Sequence, residues 1–169
     1  GNYNDLVTVP LIFFGAPQPS LYNVAAWLRV LANNEKQLRK PYPYEVVVIE
    51  LGTDGPGQLK KFSKYIKADI GVLTAIAPEH MEFFKDLDAV ADEELTIAEM
   101  SEKLFINKDL SAAKYIEPLK NRAITYSANE SFPENLVFSI AAATAVAKEL
   151  GMSEAEVEKG LQNIKPVSG

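Results

Sequence analysis

"EVVVIELGTDGPGQLKKFSKYIKADIGVLTAIAPEH", residues 45–80, holds the pattern on which the fold turns. It opens on the β-branched run Glu45 to Leu51, which reads as a strand covered on both faces. "GTDGPG" follows as a turn, and Pro56 suits the first turn of a helix running to Ala68, where a missing amide hydrogen costs nothing. "DIGVLTAIA", Asp69 to Ala77, is a second buried apolar run. Strand, helix and strand in this order make a βαβ unit, which belongs to a parallel sheet.

The same alternation extends in both directions. Upstream, Leu6 to Phe14 is apolar almost throughout and reads as another central strand. Ser20 is then expected to cap a helix in which Leu21, Val24, Ala25, Leu28 and Leu31 recur at helical spacing, with Asn23 and Arg29 towards water. "KPYPY" breaks the chain before residue 45. Downstream, Asp86 or Asp88 starts a helix through Glu102, "LFIN" is a short strand, Ser111 to Leu119 is helical, and "AITYS" is a last strand. Pro133 opens a helix that Gly151 closes, and Ser153 with Glu156 forms a capping box for a final helix to Asn163. The expected fold is α/β: one three-layer domain over residues 1–169, a mainly parallel sheet with helices on both faces.

Composition narrows the function. The 169 residues are 47% hydrophobic and 24% charged, enough apolar material for one core of ordinary burial. A net charge of −6 argues against a phosphate-tracking surface, so no nucleic acid is expected as a partner. No stretch has the apolar length of a membrane span, and the N-terminus lacks the basic and apolar regions of a signal peptide, so a cytoplasmic protein with no membrane contact is expected. The absence of cysteine removes disulfides, thiolate catalysis and cysteine-held metals.

Ligands of such sheets bind at the carboxyl ends of the strands, which directs attention to Gly15–Ser20, Glu50, Thr74–His80 and Asn107–Asp109. Glu50 closes an apolar run, where a carboxylate either faces water or needs a partner or a metal. His80 is the single histidine and follows a strand in "APEHMEFF"; its ordinary role would be structural. The acidic run "DEELTIAE", Asp92 to Glu99, reads as a solvated helix face, and Lys60 and Lys61 as surface charge.

Several ordered motifs add a resemblance. Residues 46–94, with "ELG", "PGQL", "LTAIAPEHME" and the helix after them, resemble the central domain of the Mur ligases. "FIN" before "KDL" resembles that family's strand ending in N-x-D. "ENLVFSIAAATAVAKELGMSEAEVEKGLQNIKPVSG" is similar to its C-terminal H-N-x-x-N segment. The match runs through about three quarters of the chain in the right order. It implies a P-loop-NTPase-like fold and an ATP-dependent, Mg²⁺-assisted ligase joining an amino acid or peptide to a UDP-linked cell-wall precursor. It also implies that this chain is the middle domain of a longer protein, working with flanking ligase domains or partner subunits.

Position by position, the resemblance makes Glu50, His80 and Glu94 catalytic, with Glu50, His80 and Ser20 around the metal. Gly15, Ser20, Asn107 and Asn135 fall where the family binds nucleotide. Glu94 stands where the family carbamylates a lysine. The departures are as specific. Gln18 replaces the second loop glycine and Pro19 the phosphate-binding lysine; Glu134 replaces a histidine and Phe138 the second asparagine. The chain is also short between Ser20 and Glu50. A proline offers a phosphate neither an N–H nor a positive charge, so the sequence implies impaired or absent ATP binding and a binding or scaffold role. The competing expectation is a working ligase whose phosphate contacts come from Lys60, Lys61 or another domain.

Overall fold

A computed structural model describes residues 6–128 and 136–164. The chain divides into two units, Gly1–Gly52 and Thr53–Gly169.

The second unit holds a three-stranded parallel sheet of β1 (Ala68–Leu73), β2 (Ser101–Asn107) and β3 (Ala123–Tyr126), in that order. Ile70 pairs with Lys103, Leu73 with Ile106 and Asn107 with Tyr126, so the three carboxyl ends lie together. Crossovers of α4 (Leu87–Glu94) with α5 (Ile97–Met100), and of α6 (Ala113–Ile116), join the strands. Leu104 and Ile106 of β2 are buried in a core with Leu73, Ile76, Ala91, Ala98 and Tyr115. Phe105 projects to the opposite face and is equally buried, and α7 (Val137–Glu149) packs against β2 and β3. A central strand buried on both faces is what an α/β sheet requires. At Gly71 an added Cβ would come within 2.9 Å of the Ser101 Cβ, and nearer still to its hydroxyl; the glycine lets β1 and β2 pair at this point.

The strands expected at 69–77, 104–107 and 123–127 are present. The expected helix from Pro56 shrinks to α3 (Leu59–Phe62). The one expected from Asp86 to Glu102 breaks after Glu94, where the Thr96 hydroxyl bonds back to the Asp92 carbonyl, and Ser101 already begins β2. Asp86 is its cap, accepting from the Ala89 amide. Pro118 turns the end of the 111–119 segment into a 3-10 turn, Glu117–Leu119. α8 (Glu154–Gln162) starts with both halves of the Ser153–Glu156 capping box.

The first unit corrects the sequence reading three times. Leu6–Phe14 is no strand: Pro10 occupies the first turn of a short helix, α1 (Val9–Ile12). A proline lacks the amide hydrogen a central ladder needs, and fits a helix start instead. Glu45–Leu51 takes no regular structure, and Val46 and Val48 are exposed. α2 (Val24–Gln37) is capped by Asn23, not Ser20: the Asn23 Oδ1 accepts from the Ala26 amide at 3.0 Å. Its apolar positions Val24, Leu28 and Leu31 are exposed.

Candidate functional site

In the first unit the Gly15–Ser20 loop does not follow a strand. It terminates α1. The Gly15 amide bonds the Ile12 carbonyl at 3.1 Å and the Ala16 amide bonds Leu11 at 3.0 Å, with Gly15 at φ +58. These two bonds form a Schellman motif, and its left-handed position is one that glycine takes without strain. The amides of Gly15 and Ala16 are thereby engaged, and Pro17 and Pro19 have none. Above the loop the Tyr42 hydroxyl donates to the Phe13 carbonyl at 2.8 Å, and its ring meets Tyr44 edge to face at 5.5 Å. The Tyr44 hydroxyl lies 2.5 Å from where a Gly15 Cβ would stand. Ser20 is exposed and its carbonyl accepts the Asn23 amide; Glu50 is exposed in irregular chain.

In the second unit His80 and Glu94 each have carboxylate neighbours. His80 sits at φ +51, with its carbonyl accepting from Phe83 and Phe84, and its Nε2 lies 3.7 Å from Asp54 Oδ1. Glu94 feels Glu79 and Glu93. Burial, reinforced by these two carboxylates, pushes its carboxyl up to about 7.

Glu93 is the residue the sequence reading missed. It is 7% exposed, although the acidic run was expected to face water. Its carboxylate accepts from the Gly57 and Leu59 amides, both at 2.6 Å, and from the Thr53 hydroxyl at 3.4 Å. The signal was present: Glu93 lies three residues after Val90, on the buried stripe of α4.

At the end of β2, Asn107 is fully buried. Its Oδ1 accepts the Asp109 amide, and its Nδ2 has no hydrogen-bond partner among the described residues; the same holds for the buried Ser111 hydroxyl. Asp109 accepts the Ala128 amide, tying β2's exit to β3's. Tyr126 closes β3, its phenol pushed up to about 12 by burial. Asn135, together with Pro133 and Glu134, lies outside the described residues. Among the described residues no group of three or more His, Cys, Asp or Glu side chains is placed to hold a metal ion, and none of their helices is long and apolar enough to cross a membrane.

Comparison with known proteins places these features. No curated protein sequence matches the chain. MurF from Acinetobacter baumannii has a similar fold, with a TM-score of 0.66 at 19% identity over 78% of this chain. The chain spans 37% of that protein's length. The family model of the Mur ligase middle domain matches residues 30–165, a stretch that starts inside α2 and leaves out Gly15 and Ser20. By that match the chain belongs to the Mur ligase middle-domain family.

Proposed function

We propose that this chain is a Mur-ligase-type middle domain with impaired or lost ATP binding, acting in the cytoplasm as a non-catalytic binding or scaffold module beside flanking ligase domains or partner subunits. One observation carries the reading: the Gly15–Ser20 loop. A phosphate cradle needs converging amides and a cation. Here the amides of Gly15 and Ala16 close a helix, Pro17 and Pro19 offer none, and no lysine stands in the loop. The loop does not fit a triphosphate as it stands. Isothermal titration with ATP and Mg²⁺ tests this: no heat beyond dilution is expected, and micromolar binding lost in Glu50→Gln would overturn it.

The second unit supports another reading, a working amide ligase on a UDP-linked cell-wall precursor. His80 lies 3.7 Å from Asp54, Glu94 is held near Glu79 and Glu93, and the buried Asn107 Nδ2 at a strand end has no partner among the described residues. In that reading Glu50, His80 and Ser20 serve Mg²⁺, Gly15, Asn107 and Asn135 serve the nucleotide, and Lys60 or Lys61 replaces the loop lysine. It also treats residues 1–169 as one domain of a longer enzyme. ADP release by the full-length protein, given UDP-linked muramyl substrates, separates the two. Turnover supports this reading and excludes the first.

A further inference from the structure

A buried carboxylate is costly unless its oxygens are matched by donors. Glu93 meets that demand through atoms on either side of Asp54. It binds the Thr53 hydroxyl before it and the Gly57 and Leu59 amides after it, the last two as short charge-assisted bonds. The Asp54 amide is held in turn by Gln58 Oε1 at 3.1 Å. The 53–59 turn is therefore pinned to α4 at both ends, and Asp54 is left exposed with its carboxylate 3.7 Å from His80. The same turn touches the His80 loop a second time, since a Cβ on Gly55 would lie 3.6 Å from the Phe83 Cβ. His80 holds a left-handed backbone, which for a residue other than glycine is strained and persists only where neighbours over-determine it.

We propose that Glu93 is a positioning residue: from within α4 it holds the 53–59 turn so that Asp54 faces the His80 imidazole. The inference rests on His80 and Glu94 belonging to the site, as the resemblance implies. Glu93 itself matches no motif of the resemblance. Its role follows from the bonds it makes.

The single histidine makes the test direct, because the imidazole Cε1–H signal in a proton–carbon NMR spectrum of the 169-residue chain belongs to His80 alone. Four variants are compared with the parent: Glu93→Gln, Glu93→Ala, Asp54→Asn and the double change Glu93→Gln with Asp54→Asn. In Glu93→Gln the side-chain oxygen serves one amide while its NH₂ opposes the other. The His80 signal is expected to move in the same direction as in Asp54→Asn, and the double variant to coincide with Asp54→Asn alone. Amide exchange at Gly57 and Leu59 is expected to accelerate at least about tenfold. Glu93→Ala should give the larger shift if it folds; if it does not, Glu93→Gln carries the test. A His80 signal unmoved by Glu93→Gln while the Gly57 and Leu59 amides lose protection would overturn the proposal. Additive shifts in the double variant would do the same. No nucleotide enters the measurement, so it can fail while the reading of the Gly15–Ser20 loop stands, and the converse also holds.

Discussion

Glu94 and Glu93 are adjacent carboxylates with opposite solutions to burial. Glu93 stays matched by donors, whereas Glu94 lies near two other carboxylates and holds its proton up to about pH 7, against an ordinary value of 4.5. The folded protein therefore binds this proton more tightly than the unfolded chain does. The stability this contributes is present in full below about pH 4.5 and is lost as the pH rises through 7. Glu94→Gln should flatten that part of the stability–pH curve and raise the urea midpoint at pH 8. A midpoint that still falls between pH 5 and 7 in the variant would count against the assignment. Gly71 supplies a second residue-level outcome. Gly71→Ala forces a methyl against Ser101, and overpacking of this kind costs about 2 kcal/mol, read as a lower urea midpoint at unchanged slope.

At the scale of elements, the sequence read well where local pattern and tertiary demand agreed. β1, β2 and β3 each contain an apolar run, Leu104, Phe105 and Ile106 of the central strand are buried on both faces, and the Ser153–Glu156 box appears as spaced. Removing it by Ser153→Ala should cost about 1 kcal/mol and loosen α8, visible as faster amide exchange in Glu154–Val157. The two missed strands failed for different reasons. Leu6–Phe14 contains Pro10, a breaker that outweighs the apolar run around it. Glu45–Leu51 has full strand propensity, but propensity measures fit to a neighbouring strand, and the described residues of the first unit supply none. Of the candidate site, ordered motifs in the sequence single out His80, Glu94 and Asn107, whereas Glu93 was hidden by its charge: only the helical register showed that it points inward.

At the scale of the molecule, the sheet, its core and the Glu93 contacts all fall within residues 53–169. That stretch is therefore expected to fold without the first unit and to melt in one cooperative transition, with the His80 signal where the 169-residue chain shows it. A broad, non-cooperative melt would show that the sheet depends on residues 1–52. The family match crosses this division, with residues 30–52 in the first unit and the larger part, 53–165, in the second.

The Gly15 corner bears on how such a chain could change over generations. Its amides serve the end of α1, and Tyr44 crowds the glycine, so each feature protects a local arrangement that has no use for an anion. Pro19→Lys restores one missing charge yet leaves the Gly15 and Ala16 hydrogens bound to Ile12 and Leu11. In the proposed reading, one such change recovers no phosphate site and several would have to arrive together. The corner then works as a ratchet, in which a loop folded into a helix end is not reopened by one step.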